Sequence, residues 1–197
     1  MSKRFTAKSL TILAMMVALL LIFSFTPIGT IPIGPLSITL NIIPVAIAAV
    51  ALGPWGGLVV GGVFGVLSFL QCVGVGIPSG MGAILFGIDP FLAFVQRFVP
   101  RALDGLLVGF IFRAFKNKSV GCFVAGFCSA FLNTLFFMSA LILLFGRTDY
   151  VQGLIAGRNV LLFVCAFVGV NAVVEMIVST IVVGAVGSAL FRAKVLE

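Results

Sequence analysis

The chain lacks histidine altogether and carries only five acidic residues among its 197. Histidine is the side chain that proteins most often use as a general base near neutral pH and as a transition-metal ligand. The sequence therefore gives no support to an enzyme that depends on histidine. We expect no catalytic residue, no metal site and no cofactor.

Nucleotide-binding motifs are also missing. The glycine-rich stretch from Gln71 to Pro90 has no GxxxxGK[ST] pattern, and the pattern does not occur elsewhere in the sequence. The chain therefore has no visible ATP site of its own. The four cysteines lie scattered in apolar segments without CxxC spacing, which favours buried free thiols over a metal or redox site.

Charged residues are scarce. They make up 9% of the chain, and hydrophobic residues make up 62%, whereas about a quarter of a soluble domain is charged. This composition predicts that residues 1–197 form one all-α integral membrane domain with no soluble module. The formal net charge of +7 could suit nucleic acid. The basic residues, however, lie at predicted helix ends and not in a stripe on a solvated face, so no nucleic-acid partner is expected.

Six long apolar segments predict a compact bundle of six transmembrane helices, since about 20 apolar residues span a bilayer. The third begins near Gly57, and the others run approximately over Ala7–Phe25, Leu36–Leu52, Phe91–Phe115, Val120–Phe145 and Val160–Phe191. Eight basic residues fall on one side of these segments, and only Arg147 and Arg158 fall in loops on the other. The positive-inside rule then places both termini in the cytoplasm. The first segment is interpreted as a retained span and not as a cleaved signal peptide.

Small residues recur at helical spacing in two of these segments. Ala14 and Ala18 lie one turn apart in the first segment, and Gly57, Gly61 and Gly65 follow one another at every fourth position in the third. Such spacing lets helices approach closely. The glycines predict packing against a neighbouring helix of the same chain. The alanines indicate either an intermolecular contact or a chance pair in a chain rich in small residues.

The fourth segment carries three charged side chains inside an otherwise apolar helix. Arg97, Arg101 and Asp104 fall within roughly 60° of one another on the helix surface, so they share one face. Charges at bilayer depth cost a few kcal/mol each, and they usually face a cavity or one another. Arg97 would lie about 9 Å below the outer end of the segment. With Asp104 placed to neutralise Arg101, Arg97 is left to bind a carboxylate or a phosphate by two parallel hydrogen bonds.

Polar residues of other segments could complete such a pocket. Asn133 lies in the fifth segment, and Asn171 and Glu175 lie one turn apart in the sixth. Asn41, near the outer end of the second segment, could face the pocket or cap a helix. Alternatively, the two arginines of the fourth segment, Asp104 and Glu175 form a closed structural ion network, because their charges balance.

The connection from Thr26 to Pro35 holds three prolines, two glycines and no charge. Prolines exclude a regular helix here, and the stretch is too apolar for an ordinary solvated loop. Pro32, Ile33 and Gly34 could therefore form a lid over the mouth of a cavity. The alternative is a tight turn at the membrane interface.

Taken together, these features resemble the substrate-binding S component of energy-coupling factor (ECF) vitamin transporters. The resemblance rests on AMMVA from Ala14, on the proline-glycine lid, and on the stretches LGPWGG from Leu52, VPRALDG from Val99 and VGVNAVVE from Val168. It covers essentially the whole chain. Within the family, the lid and the pair of Arg97 and Asn133 are most similar to the pantothenate type.

The resemblance implies a transport subunit and not an enzyme. Such a subunit is a multi-pass protein of the bacterial plasma membrane that captures a vitamin on the extracellular side. Its first-helix alanines, here Ala14 and Ala18, dock on a transmembrane coupling protein, and two cytoplasmic ATPases drive the cycle. Pantothenate would offer its carboxylate to Arg97 and its hydroxyl and amide groups to the asparagines. Riboflavin is the nearest rival. A flavin favours aromatic stacking, and beyond phenylalanine the chain offers only one tryptophan and one tyrosine, both outside the predicted spans.

Two further classes of protein are open alternatives. An intramembrane enzyme would need a base, and Asp104-Gly105 lacks the additional aspartates of the metal sites in phosphatidyl transferases. A self-sufficient carrier or channel is disfavoured, because no clear internal repeat is visible and the charged residues cluster in the outer half.

Overall fold

The computed structural model describes residues 6–27, 29–33, 36–157 and 159–193. The chain is mainly helical, as predicted, with one short β-hairpin. Its helices are α1 (Ala7–Phe25), α2 (Ile42–Leu52), α3 (Pro54–Leu70), α4 (Gly80–Ile88), α5 (Pro90–Ala114), α6 (Lys118–Phe145), α7 (Asp149–Ile155) and α8 (Val160–Arg192). The strands are β1 (Thr30–Ile33) and β2 (Leu36–Thr39), and a 3₁₀ turn covers Gln71–Val73.

Four helical stretches are long and apolar enough to cross a bilayer, which supports a membrane location. They are Ala7–Phe25, Pro54–Val73, Lys118–Phe145 and Asn171–Arg192. Helix α5 has 25 residues, enough for a span, but it contains the charged side chains of the fourth segment. Helix α2 has 11 residues, or about 16 Å, roughly half of a bilayer core. The predicted count of six spans therefore remains a prediction.

The second apolar segment is helical only from Ile42 onward. Its first residues form strand β2, which pairs antiparallel with β1 so that Thr30 faces Thr39 and Ile33 faces Leu36. Pro32 and Pro35 disfavour a helix across the hairpin, and the β-branched residues of the two strands favour an extended backbone. The sequence pattern alone therefore placed the start of this helix too early.

Helices α3 and α5 pack at very short range through the predicted glycine ridge. A Cβ atom added at Gly57 would come within 2.1 Å of the carbonyl oxygen of Gly105, and one at Gly61 would come within 2.3 Å of that of Arg101. Gly65 meets the backbone of α5 in the same way. Only glycine permits this approach, so the ridge fixes the rotation of α5 and with it the direction of its charged face.

Buried apolar side chains form two separate clusters. The central cluster surrounds α2, in which every residue from Ile42 to Val50 is buried. The cap cluster joins α4 and α7 to the end of α6, through Met81, Leu85, Phe145 and Val151 among others. Helices α4 and α7 are thus held by apolar packing over one end of the bundle.

The predicted free thiols are seen where the structure describes the cysteines. Cys72 and Cys122 are buried and Cys128 is partly buried, and all three are free. The side chain of Cys165 lies outside the described part. No group of three or more His, Cys, Asp or Glu side chains that could hold a metal ion occurs in the described residues.

Candidate functional site

A cavity of about 80 Å³ lies between the hairpin, the start of α4 and helices α3, α5, α6 and α8. One water needs only about 10–15 Å³ of such space, so the cavity is large enough for a small solute. Among the residues predicted from the sequence, the structure brings five into its wall. They are Arg97, Arg101, Asn133, Asn171 and Glu175.

Arg97 lies at the end of the cavity wall nearest to α4. Its side chain is 6% exposed, and its Nη2 atom donates to Ser79 Oγ over 3.2 Å. The guanidinium carbon lies 5.2 Å from the ring centre of Phe137, a distance at which a cation is attracted to an aromatic face. Arg97 Nε is buried without a hydrogen-bond partner. The guanidinium is therefore held in place but retains hydrogen-bonding capacity.

Arg101, one turn further along α5, is held between two aromatic rings. Its guanidinium carbon lies 4.9 Å from the ring centre of Phe64 and 5.3 Å from that of Phe137. Its Nη1 atom donates to the carbonyl oxygen of Arg97 over 2.9 Å. Two neighbouring guanidinium groups thus share one phenylalanine ring, and both contribute to the wall of the same cavity.

The closed ion network considered from the sequence is not formed. In the described part of the chain, neither cavity arginine has a carboxylate oxygen within the 4.0 Å of an ion pair. Asp104 is buried at 1% exposure and accepts a hydrogen bond from Ser129 Oγ over 3.0 Å. It does not line the cavity, and its other carboxylate oxygen is unpartnered.

Glu175 connects α8 to the hairpin. Its Oε1 atom accepts a hydrogen bond of 2.6 Å from the backbone N–H of Thr39. Thr39 and its register partner Thr30 stand at the open end of the hairpin, and both line the cavity. Asn41, in contrast, is outside the wall: its Nδ2 atom lies 3.4 Å from Thr30 Oγ1 and donates to it.

The predicted lid residues are only partly covered by the structure. Pro32 and Ile33 belong to the backbone of β1, and Gly34 lies outside the described residues. What the structure describes is that the base of this hairpin, through Thr30 and Thr39, forms part of the cavity wall.

The predicted docking alanines lie far from the buried face of α1. Ala14 and Ala18 are both exposed, whereas Met16 and Leu20 are buried. Helix α1 therefore turns its alanine face away from the rest of the chain.

Several wall residues were missed from the sequence. Their side chains are polar or aromatic, namely those of Thr30, Thr39, Phe64, Ser68, Gln71, Ser79, Thr134 and Phe137. Phe137 could have been found, because it follows Asn133 by one helical turn and so shares its face. Ser79 carries a helix-cap signal, since it stands just before α4 and accepts a hydrogen bond from Gly82 N.

The cavity wall has an excess of positive charge. It contains the guanidinium groups of Arg97 and Arg101 and the carboxylate of Glu175, which gives a formal charge of +1 when all three are ionised. Since charges are poorly solvated inside such a bundle, an anion that enters the cavity would be stabilised there.

Comparison with known proteins gives a consistent assignment. Residues 8–187 match the family described as "ECF transporter, substrate-specific component". The chain is 31% identical over 196 residues to the pantothenate transporter PanT of Leuconostoc mesenteroides subsp. mesenteroides, covering 93% of this chain and 92% of that protein. It is 26% identical over 210 residues to the pantothenic acid transporter PanT of Lactococcus lactis subsp. cremoris, covering 98% of each. The match spans nearly the whole chain and confirms the resemblance noted from the sequence. The protein belongs to the family of substrate-specific S components of ECF transporters.

Proposed function

We propose that this chain is the pantothenate-binding subunit of an ECF importer. The observation that carries the proposal is the buried guanidinium of Arg97, which lines a cavity and has an unpartnered Nε atom. Guanidinium groups bind carboxylates by two parallel hydrogen bonds, and pantothenate is a carboxylate. The names of the two similar proteins point to the same vitamin.

The rest of the wall suits the remaining groups of pantothenate. Asn133 and Asn171 offer amides, and Thr134 offers a hydroxyl, which match the amide and hydroxyl groups of the vitamin. The formal charge of +1 on the wall would be neutralised by a monoanion. These features support one small, polar, singly charged ligand.

Riboflavin fits this wall less well. A flavin needs an open aromatic face on which to stack. The two rings closest to the cavity arginines, Phe64 and Phe137, are already covered by guanidinium groups at 4.9–5.3 Å. The neutral isoalloxazine ring would also leave the arginines without an anionic partner.

The membrane topology and the delivery step are part of the proposal. Six spans with both termini in the cytoplasm would place the hairpin, α4 and α7 on the extracellular side, together with the cavity. The chain would form one domain, with the hairpin as the lid. Exposed Ala14 and Ala18 would dock on the transmembrane coupling protein, and two cytoplasmic ATPases would supply the energy.

The bound ligand itself is the direct test. The full chain is purified in detergent and denatured, and the small molecules that it releases are identified by mass spectrometry. We expect pantothenate, together with saturable binding of added pantothenate by isothermal titration calorimetry. Release of another vitamin, with no binding of pantothenate, would overturn the assignment.

A further inference from the structure

The hydroxyl group of Ser79 has an unused hydrogen at the cavity wall. Its oxygen accepts a hydrogen bond from Gly82 N over 3.2 Å and a second from Arg97 Nη2, also over 3.2 Å. A serine hydroxyl has two acceptor lone pairs and one donor hydrogen. With both lone pairs engaged, the hydroxyl can only donate to a further partner, and Ser79 lines the cavity. This hydrogen is therefore available to an acceptor on a ligand in the cavity.

The first turn of α4 adds a further donor at the same place. The backbone N–H group of Met81 has no acceptor in the part of the chain that the structure describes. Met81 belongs to the start of a nine-residue helix, where N–H groups and the helix dipole favour an anion. Met81 is 2% exposed and also lines the cavity. The unpartnered Nε of buried Arg97 independently marks the same end of the wall as incomplete.

Gly82 is what allows the arginine to approach this turn. A Cβ atom at this position would lie 2.9 Å from Arg97 Nη2 and 2.6 Å from Cys72 Sγ. Ser79 Oγ would lie equally close, at 2.9 Å, so any side chain would force the guanidinium, the thiol or the hydroxyl to move. The sequence SGMG from Ser79 thus provides a capping hydroxyl, a free backbone donor at Met81 and room for a cation within one helical turn.

We propose that the first turn of α4 and Arg97 together form the carboxylate subsite, and that the Ser79 hydroxyl is a donor to the ligand. This inference rests on the proposed function, because it takes the carboxylate to be that of pantothenate. Ser79 would then determine specificity, because its hydrogen bond would raise the affinity for an acid over that for a neutral analogue of the same shape.

The test compares two ligands that differ at one end. Pantothenol carries an alcohol in place of the carboxylate of pantothenate. Both are titrated against the full chain in lipid nanodiscs, with the native protein and with Ser79→Ala. A hydrogen bond to a charged group contributes about 1.5–3 kcal/mol, so we expect pantothenate affinity to fall roughly 10- to 100-fold. Pantothenol affinity should change little, so the ratio of the two affinities should fall by the same factor.

Control variants separate this role from helix capping. Ser79→Thr keeps a hydroxyl and should restore the preference for the acid. Thr148→Ala removes the equivalent cap of α7, where Thr148 Oγ1 accepts from Val151 N, and should leave both affinities unchanged. If Ser79→Ala does not fold, Ser79→Gly serves instead, because glycine at a cap costs only a few tenths of a kcal/mol.

Each outcome decides the matter. Equal losses for pantothenate and pantothenol would show that Ser79 acts only through the fold, and unchanged pantothenate affinity would exclude a contact. Either result overturns the proposed subsite, while the proposed function as a pantothenate-binding subunit still stands. Failure of the native protein to bind pantothenate would instead overturn the proposed function itself.

Discussion

Replacing Arg97 by alanine should weaken ligand binding but leave the stability of the ligand-free protein nearly unchanged. The side chain is 6% exposed, donates one hydrogen bond to Ser79 and lies over the ring of Phe137. If it holds the carboxylate of pantothenate, its loss should cost about 2–3 kcal/mol of binding free energy. That cost corresponds to a dissociation constant roughly 30- to 150-fold higher.

The ligand-free protein should not be weakened by the same change. Arg97 has no carboxylate within the ion-pair distance of 4.0 Å in the described part of the chain, so a charge that costs a few kcal/mol to bury is removed. The losses are one cation–π contact, about 0.5–2 kcal/mol, and one hydrogen bond, about 1 kcal/mol. These terms nearly cancel. The melting temperature without ligand should therefore stay close to that of the native protein. At a pantothenate concentration far above both dissociation constants, the stabilisation by the ligand should fall by about 2–3 kcal/mol.

The assay is isothermal titration with pantothenate, combined with thermal unfolding in the same detergent. Arg113→Ala is the matched control, because Arg113 is an exposed arginine in the last turn of the same helix. Arg97→Lys keeps the charge but not the planar fork, so its affinity should lie between those of the native protein and the alanine variant. A dissociation constant for Arg97→Ala within twofold of the native value would remove this guanidinium from the ligand site.

Further variants test three other features, namely Gly82, Glu175 and the exposed alanines of α1. Gly82→Ala should weaken pantothenate binding at least about tenfold, since its Cβ would lie 2.9 Å from the cavity guanidinium. Gly87→Ala lies in the same helix beyond its first turn, where a Cβ meets nothing within 4 Å, and should bind normally in the same titration. Glu175→Gln keeps an acceptor for the hairpin and raises the positive charge of the wall, so stopped-flow measurements should show pantothenate leaving more slowly or at an unchanged rate; faster release would contradict this. Ala14→Trp and Ala18→Trp should abolish vitamin uptake by cells while the purified variants bind pantothenate nearly as well as the native protein, and loss of both activities would argue against a docking role.

The sequence was most informative where local chemistry decides the structure. The long apolar segments predicted the helices. The spacing of Gly57, Gly61 and Gly65 predicted close packing on a neighbouring helix, which the structure identifies as α5. The face shared by Arg97 and Arg101 does line a cavity, because charged side chains in an apolar helix are costly to expose to lipid and usually face a cavity or one another.

Long-range contacts could not be predicted in this way. The bond between Glu175 and Thr39 joins residues 136 positions apart, and nothing in either segment specifies the other. The same holds for Asp104, which shares a helix face with Arg101 but bonds to Ser129 on α6. The hairpin was missed because Leu36–Thr39 directly precedes an apolar helix in the sequence, and only its pairing with β1 makes it a strand.

The separation of the apolar interior into a central cluster and a cap cluster has a consequence for entry and release. Phe64 in the cavity wall belongs to the central cluster, whereas Met81 and Met138 belong to the cap cluster. A solute in the cavity would therefore contact both the central cluster and the cap cluster and stabilise their packing against each other. Without a solute, we expect the contact between the two clusters to be weaker than the packing within the central cluster around α2. Slow amide hydrogen exchange should then persist in α2 under all conditions, while α4 and α7 should become protected only when the vitamin is bound.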